Sequence, residues 1–260
     1  MRVPQYVLEA RRSRLAELLQ ERGYLPVSDL CQELGVSEAT ARRDLSALES
    51  EERITRTYGG ALIEFNATFT SFRERLRENA EAKEAIARAA VSLVRPGMRI
   101  YLDAGTTAFA VAKELRHRLP DNLTVITNNL ALVEVLGSLA GAKIILLGGE
   151  LLERQSVLLG KEALQSVRRQ EIDLAFLSAQ GMNSKGLWNS QRDIVRFQRA
   201  VIRRATRTCF CLDRSKFGRI APEHLLPWDG IETLASDLSL PDLRMAGVLL
   251  PPGVLLPAIP

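Results

Sequence analysis

The 260-residue sequence predicts an α/β protein in two parts: an N-terminal winged helix-turn-helix domain and a mostly parallel α/β domain. The first sixty residues contain three helical patterns that are separated by short turns. From about residue 98, apolar strand-like runs alternate with amphipathic helical runs, which is typical of a parallel sheet covered by helices. We therefore expect the first domain at residues 1–61, a linker at 62–80 and the second domain at 81–260.

The composition excludes several classes of protein. No run of about 18 apolar residues is present, and the first residues lack the apolar stretch of a signal peptide, so we expect a cytoplasmic protein with no membrane contact. Three cysteines are too few for a disulfide framework, and Cys209 and Cys211 alternate inside a strand-like run, which favours buried apolar roles. With only two histidines in the chain, we expect no metal site and no cofactor.

The net charge of +4 does not by itself indicate a nucleic-acid partner. Residues 1–60 contain nine arginines but ten acidic residues, so the N-terminal part is close to neutral. A case for DNA binding must therefore rest on where particular arginines lie.

The first three helical patterns carry boundary signals. Ser28 is the predicted N-cap of the second helix, Gly35 its C-terminal glycine, and Ser37 the N-cap of the third helix. The leucines that we expect in the core of this domain are Leu15, Leu18, Leu19, Leu30 and Leu34.

The third helix separates an apolar stripe from a polar face. Its stripe consists of Ala41, Leu45 and Leu48, while Asp44 is expected to cap or to pair with a nearby arginine. Short side chains and arginines on the other face suit entry into a DNA major groove, and the following "ERITRTYGG" predicts a β-wing beside the phosphates. From the pattern alone, a helical interaction module with a solvated arginine face is the alternative. The predicted DNA-binding residues are Ser37, Ala39, Thr40, Arg42, Arg43, Ser46, Arg53 and Arg56.

The connecting segment "TSFRERLRENAEAKEAIARAAVSLVRPG" begins with a capping box at Ser71 and Glu74 and ends at Pro96-Gly97. Its apolar spacing predicts either one kinked helix or two helices. Such a segment can pack on the second domain, transmit a signal or mediate dimerisation.

Polar residues and glycines follow four predicted strands of the second domain. They come after "MRIYL", "TVIT", "KIILL" and "TCFCL", and ligands bind beyond the carboxyl ends of parallel strands. The predicted effector-binding residues are Asp103, Gly105, Thr106, Thr107, Asn128, Asn129, Gly148, Gly149 and Lys216.

The chemistry of this set suits a phosphorylated sugar. Gly105 leaves backbone N–H groups open at a helix N-terminus, two threonine hydroxyls can donate, and Lys216 supplies a positive charge. Asp103 and the two asparagines can bind sugar hydroxyls. Alternatively, Asp103 caps its turn, the asparagines cap the next helix, and Lys216 is a surface lysine.

Several of these stretches together resemble the DeoR family of bacterial transcriptional regulators. They are "VSEATARRDLSALE", "RITRTYGGA", "LDAGTT", "TVITNN", "LLGGE" and "LDRSKFG", and the similarity covers about residues 6–235. The resemblance implies a sensor domain that is similar in fold to ribose-5-phosphate isomerase and binds a phosphorylated sugar near Gly105, Thr106, Thr107 and Lys216. The chain departs from the pattern in two places: Ala82 stands where Glu is common, and Gln198 where Lys is frequent.

We therefore expect a sequence-specific regulator, a repressor of carbohydrate catabolism genes that acts as a homodimer or homotetramer on double-stranded operator DNA. We expect no enzymatic activity, because the isomerases carry acidic residues after the strand that here continues as Ser178, Ala179 and Gln180. Asp103 and Asp213 remain as carboxylates. One alternative is a sugar-phosphate isomerase-like enzyme with an N-terminal assembly module; others are an activator and a regulator that needs no ligand.

Overall fold

A computed structural model describes residues 5–22, 24–51, 54–56, 60–63, 72–137, 141–152, 155–219 and 221–259 of the chain. The chain divides into two compact units. The smaller unit is Met1–Phe69 with Ile220–Pro222, and the larger unit is Thr70–Arg219 with Glu223–Pro260.

The smaller unit packs three helices on a three-stranded antiparallel sheet. Leucines from all three helices form its core, together with Leu25, Val27 and Ala41. The strand order is β1-β3-β2, so the predicted wing is a β-hairpin that is extended by a strand from between the first two helices. The elements are α1 (Gln5–Arg22), β1 (Tyr24–Pro26), α2 (Val27–Leu34), α3 (Glu38–Ser50), β2 (Ile54–Arg56) and β3 (Gly60–Ile63).

Two of the three predicted helix boundaries are confirmed, and one is wrong. Gly35 ends α2 in a left-handed conformation with φ 62°, and Ser37 caps α3. Ser28 is not the N-cap of α2: that position is Pro26, because the chain passes directly from β1 into the helix. The Ser28 hydroxyl instead donates to the Asp29 carboxylate at 3.0 Å.

The larger unit is built on a seven-stranded sheet in which every neighbouring pair is parallel. Its strand order is β15-β14-β12-β9-β4-β5-β6. The strands of this sheet are β4 (Arg99–Leu102), β5 (Thr124–Thr127), β6 (Lys143–Leu146), β9 (Ile172–Leu177), β12 (Ala205–Cys211), β14 (Leu234–Ser236) and β15 (Leu255–Pro257).

The helices of the larger unit confirm the predicted alternation with strands. The connecting segment forms two helices, α4 and α5, and the turn between them contains Asn79 with φ 49°. The helices are α4 (Phe72–Arg77), α5 (Ala80–Val91), α6 (Thr106–Leu115), α7 (Ala131–Gly137), α8 (Lys161–Arg168), α9 (Arg192–Ile202) and α10 (Leu240–Met245).

Short antiparallel strands and a C-terminal strand were not predicted. One hairpin pairs β7 (Glu150–Leu152) with β8 (Val157–Leu159), and a second sheet contains β10 (Gly181–Asn183), β11 (Gly186–Asn189) and β13 (Glu223–Leu226). The proline-rich end supplies β15, which lies beside β14 at one edge of the main sheet.

Both faces of the main sheet are buried, and side chains alternate between them along each strand. Tyr101 and Phe210 pack in one apolar cluster, whereas Ile100, Cys209 and Cys211 pack in the other. The predicted burial of the two strand cysteines is confirmed, and their Sγ atoms lie 4.0 Å apart. No helix among the described residues has the length and apolar character needed to cross a membrane.

Candidate functional site

Helix α3 presents the predicted polar face to solvent. Ala41, Leu45 and Leu48 are buried, which confirms the stripe, while Ala39 and Ser46 are exposed on the opposite side. The Ser37 hydroxyl accepts from the Thr40 backbone N–H at 3.4 Å and also lies 3.0 Å from the Thr40 hydroxyl. At the N-terminus of α3, Ser37, Ala39 and Thr40 have short side chains, whereas Glu38 is acidic.

Asp44 is turned away from this face and joins α3 to α1. Its buried carboxylate accepts from Arg11 Nε at 2.6 Å and from Arg12 Nε at 3.3 Å. The expected pairing with an arginine is therefore confirmed, and the Asp44 carboxylate is buried away from the exposed face of α3.

The arginines of the predicted interface differ in their partners. Arg42 binds Glu38 within its own helix at 2.5 and 2.9 Å. Arg43 is exposed and makes no ion pair with any described residue. Arg56 lies in strand β2, but the structure does not describe its side chain, and Arg53 lies outside the described residues.

The parallel strands of the larger unit place their carboxyl ends at one edge, where the second predicted site lies. Asp103 follows β4, Asn128 follows β5, Gly148 follows β6 after one residue, and Asp213 follows β12 after one residue. This edge therefore brings together residues that are far apart in the chain.

Asp103 is buried, and one of its carboxylate oxygens accepts three hydrogen bonds from other residues of the protein. Its Oδ2 accepts from the Ser178 N–H at 2.9 Å, from the Ser178 hydroxyl at 2.8 Å and from Gln198 Nε2 at 2.7 Å. Burial raises the pKa of the Asp103 carboxyl, and these hydrogen bonds oppose the rise. Asp103 thus holds the loops after β4 and β9 against α9. Gln198 belongs to this site, although the sequence analysis named it only as a departure from the family pattern.

The loop after β4 leaves donors open at the start of α6. Gly105 precedes the helix and no side chain caps its first N–H groups. Among the described residues, neither the Thr106 nor the Thr107 hydroxyl finds a hydrogen-bond partner, although both side chains are largely buried. A methyl group on Gly105 would lie 2.6 Å from Ser178 Cβ and closer still to its Oγ, so only glycine fits there.

The two asparagines after β5 have different roles. Asn128 Oδ1 accepts from the Tyr101 hydroxyl at 2.7 Å and Asn128 Nδ2 donates to the Leu158 carbonyl at 2.8 Å. Asn129 Oδ1 caps α7 by accepting from the Ala131 N–H at 2.9 Å. Asn129 Nδ2 is buried and has no hydrogen-bond partner among the described residues, which leaves a donor for a ligand.

The glycines after β6 are exposed. Gly149 has φ 146°, and a side chain there would collide with the Leu159 carbonyl oxygen of β8. Gly148 has open space around its Cα. Gly149 is thus required by packing against β8, whereas Gly148 leaves room at the strand end.

Lys216 lies in a short 3-10 helix after β12, within a cluster of charges. Burial lowers the pKa of its ammonium group, while the neighbouring Asp213 opposes this shift. Asp213 Oδ1 accepts from the Ser215 N–H at 2.9 Å and from Asn79 Nδ2 at 3.4 Å. Asp213 Oδ2 is buried and has no hydrogen-bond partner in the described part of the chain. The contact with Asn79 was not predicted, because 134 residues separate the two.

Comparisons with family models match both units. The DeoR-like helix-turn-helix domain matches residues 11–65, and the DeoR C terminal sensor domain matches residues 78–238.

Curated relatives match over most of their length. The chain is 34% identical to the Glycerol-3-phosphate regulon repressor of Escherichia coli K12, over 81% of this chain and 83% of that protein. It is 32% identical to the HTH-type transcriptional repressor GlcR of Bacillus subtilis, over 88% of each chain. Among solved structures, ribose 5-phosphate isomerase A of Methanocaldococcus jannaschii aligns at 21% identity and a TM-score of 0.39, over 55% of this chain and 56% of that chain.

Proposed function

Because the chain belongs to the DeoR family of transcriptional regulators, we propose that it represses carbohydrate catabolism genes and that a phosphorylated sugar alters its operator affinity. Its helix-turn-helix unit makes it a sequence-specific DNA-binding regulator. Two relatives are named as repressors, and one of them controls a regulon named for a phosphorylated polyol. We place the DNA-binding domain at residues 1–61, the linker at 62–80 and the sensor domain at 81–260.

The exposed face of α3 supports the DNA-binding part of the proposal. Ser37 and Thr40 lie at the start of the helix that enters the major groove, Ala39 and Ser46 lie against base edges, and Arg43 binds a base edge or a phosphate. The wing arginines Arg53 and Arg56, with Arg42, bind the DNA backbone. A homodimer or homotetramer would place two such helices on repeated half-sites.

The observation that carries the effector site is a set of unsatisfied donors at one sheet edge. The first N–H groups of α6, the hydroxyls of Thr106 and Thr107 and Asn129 Nδ2 have no protein partner among the described residues, and Lys216 adds a positive charge. Donors in this number at a helix N-terminus suit a phosphate group. Gly105 and Gly148 leave the backbone open there, whereas Asp103, Asn128 and Gly149 support the site through their internal contacts.

The same geometry argues against an isomerase. Such a reaction needs a general base within reach of the substrate, and the residues that follow β9, Ser178, Ala179 and Gln180, include no carboxylate. The Oδ2 atom of Asp103 already accepts three hydrogen bonds. We therefore propose that this edge binds a ligand, with Asp213 Oδ2 as an acceptor for it.

Titration of sugar phosphates against the protein bound to the DNA upstream of its own gene tests the effector. An effector shifts the operator equilibrium only if it prefers one state of the protein, so at least one phosphorylated sugar should change the apparent affinity, and its unphosphorylated form should not. If a broad panel of phosphorylated sugars and polyols leaves operator binding unchanged, the effector proposal fails while the DNA-binding assignment stands.

Arg43→Ala tests the orientation of α3. Because Arg43 is exposed and has no ion pair among the described residues, its removal should weaken operator binding about tenfold or more without lowering the melting temperature. Arg14→Ala in α1, also an exposed arginine, is the matched control and should bind operator nearly as the parent protein does. Equal affinities of the Arg43→Ala variant and the parent in a gel-shift or anisotropy assay would contradict this orientation.

A further inference from the structure

We propose that the exposed face of helix α9 is a second DNA-binding surface, which contacts phosphates of the duplex that the helix-turn-helix unit binds. We call this surface the arginine ridge, and it consists of Arg192, Arg196, Arg199 and Arg203. The inference goes beyond the proposed function because it assigns DNA contact to the larger unit, and it rests on the DNA-binding part of that function.

The arginine ridge is one stripe along the helix. Its members follow one another at intervals of four, three and four residues, which places their side chains on a single helical face. All four are exposed. The other side of α9 is buried in the apolar core of the larger unit through Ile194, Val195, Phe197, Ala200 and Val201. Packing therefore fixes how α9 is turned, and the ridge faces solvent.

Carboxylates do not neutralise the arginine ridge. None of its four members makes an ion pair with a described residue. Arg199 donates to the carbonyl oxygens of His224 at 2.9 Å and Leu225 at 3.2 Å, which positions its side chain and leaves its charge. Asp193 is the acidic residue of α9, but it follows Arg192 directly and so lies about 100° around the helix from it.

This arrangement costs helix stability when no anion is bound. Like charges three or four residues apart on a helix repel one another, and a solvated helix is usually supported by carboxylates at these spacings. The ridge contains three successive pairs of arginines at such spacings. A row of negative charges along the face would relieve the repulsion, so the pattern indicates a polyanionic partner.

The helix dipole explains only part of the ridge. Arginine is favoured in the last turn of a helix, which accounts for Arg203 at the C-cap. Arg192 is the first residue of α9, where the dipole disfavours a cation, and Arg196 lies in the middle, where the dipole has little effect. These two positions therefore carry the argument for an external anion.

The end of the neighbouring helix extends the positive surface. Helix α8 packs beside α9, and Arg204 Nε donates to the Gln170 carbonyl at 2.9 Å, which joins the segments that follow the two helices. Arg168 and Arg169, at the end of α8, are exposed there as well. Positive charge thus continues from the ridge across the C-terminal ends of both helices.

The distribution of charge along the chain identifies the polyanion. Residues 192–207 contain six arginines and one aspartate, a charge of +5, whereas the net charge of the whole chain is +4. Residues 1–60 contain nine arginines and ten acidic residues, so the unit that reads DNA brings no excess of positive charge. Neutralised phosphates supply much of the affinity of proteins for duplex DNA. We therefore assign part of the phosphate contact to the ridge.

The dimensions of the ridge suit one strand of a duplex. The eleven-residue interval from Arg192 to Arg203 rises about 16 Å, and a DNA strand carries one phosphate per about 3.4 Å of its axis. The ridge can thus face about five phosphates, to which guanidinium forks donate in pairs. A membrane fits less well, because helices that bind membranes insert their apolar face, and that face of α9 is buried.

Both units belong to one chain, so DNA that flanks a bound operator is present at high local concentration for the larger unit. Weak contacts through phosphates alone therefore suffice for the ridge to add to operator affinity.

The salt dependence of DNA binding by the full chain tests the ridge. The variant Arg192→Gln/Arg196→Gln/Arg203→Gln removes three charges and keeps Arg199, which is bonded to β13. Each lost phosphate contact should reduce the slope of log affinity against log salt by about 0.9, so the slope should fall by up to about 3. Affinities for the operator and for an unrelated duplex should fall by the same factor, about tenfold or more at low salt.

The variant Arg116→Gln/Arg118→Gln/Arg244→Gln is the matched control, because it removes the same charge from exposed positions outside α8 and α9. It should keep the slope of the parent. Operator duplexes with and without about 20 base pairs of flanking DNA on each side, roughly two helical turns, give a second measurement. The flanks should raise the affinity of the parent and the control but not that of the ridge variant.

The outcomes separate the ridge from the function on which it rests. Equal salt slopes in the ridge variant and the control would overturn the ridge and leave operator binding through α3 standing. Failure of the parent to bind operator at low ionic strength would overturn DNA binding itself. An unchanged DNA slope together with lost binding to vesicles of anionic phospholipid would assign this face to a membrane and overturn the inference.

Chemical modification of the parent protein keeps the inference testable if calorimetry shows that the ridge variant does not fold. Duplex DNA should protect Arg196 and Arg203 from phenylglyoxal and leave Arg116 reactive, as read from the masses of the modified peptides. Equal modification of all three with and without DNA would overturn the ridge.

Discussion

The environment of Lys216 determines the pH range over which the proposed effector site would attract an anion. Its ammonium group is half-buried, and burial lowers its pKa below that of an exposed lysine. Asp213 and Glu78 favour its charged form, whereas Arg75 and Arg219 disfavour it. Lys216 therefore loses its proton, and with it the attraction for an anion, at a lower pH than an ordinary lysine does.

This gives a prediction about pH. Effector affinity should fall as the pH rises through the lowered pKa of Lys216, beginning below the value of 10.5 for an exposed lysine, because a phosphate monoester stays dianionic over this range. In Lys216→Arg the guanidinium keeps its charge, so the fall should begin at a higher pH. Calorimetric titrations from about pH 7 to 10 measure both. Identical pH profiles of the parent and the variant would exclude Lys216 as the titrating ligand.

Gly105→Ala should destabilise the larger unit by about 1–3 kcal/mol, because the added methyl group collides with both the Cβ and the Oγ of Ser178. Gly148→Ala, where space is open, is the control and should cost far less. In the Gly105→Ala background, Ser178→Gly should restore part of the lost stability because it removes both Cβ and Oγ. Ser178→Ala should not restore it, because Cβ remains. Thermal unfolding measures the change in stability of each variant. If the changes caused by Gly105→Ala and Ser178→Gly simply add in the double variant, the proposed collision is contradicted.

The sequence located residues of the proposed sensor site more readily than the residues that hydrogen-bond to them. Asp103 follows a buried strand, and this placed it correctly at the sheet edge. Its donors, Ser178 and Gln198, lie 75 and 95 residues further along the chain, and no local pattern connects them. The sequence therefore suggested a ligand contact for Asp103, whereas the structure shows an internal bridge.

Helix α3 shows what a single cap contributes to an element. It is the helix proposed to enter DNA, and Ser37 satisfies one of its first backbone donors. Ser28 has the same residue type in a similar sequence context, but it lies inside α2 and caps nothing. The local pattern could not separate the two, because the position of Pro26 within β1 decides where α2 begins.

Ser37 and Ser28 therefore supply a prediction and its matched control. Ser37→Ala should lower the stability of the smaller unit by about 1 kcal/mol, because a backbone N–H loses its acceptor. Ser28→Ala removes only a surface hydrogen bond to Asp29 and should change stability by less than about 0.5 kcal/mol. Urea unfolding followed by circular dichroism compares them. If Ser28→Ala were the more costly substitution, the N-cap assignments would be reversed.

At the scale of the whole molecule, one sheet edge depends on residues that carry no recognisable strand signal. β15 pairs in parallel with β14, and Val254 beside it is buried. The Ile259 N–H donates to the Ala85 carbonyl at 3.0 Å, so this segment also holds helix α5. The sequence did not predict β15, because prolines are rare in strands and only an edge position tolerates them.

Deletion of residues 251–260 should therefore lower the melting temperature of the larger unit by at least about 5 °C, since it removes a strand and its contacts with α5. Leu249→Ser alters a side chain that is 78% exposed next to the deleted segment and should shift the transition by no more than about 1 °C. Differential scanning calorimetry checks both. An unchanged transition in the deletion variant would show that the sheet does not need its last strand.

The three cysteines differ in their accessibility to a thiol reagent. Cys31 is only half-buried in the smaller unit, whereas Cys209 and Cys211 are enclosed in β12, and their mutual hydrogen bond together with burial raises the pKa of the Cys211 thiol. A maleimide reagent should therefore modify Cys31 promptly and the other two only when the sheet opens. The masses of the labelled peptides over time would report the opening of the main sheet of the larger unit, with Cys31 as the internal control for the reactivity of the reagent.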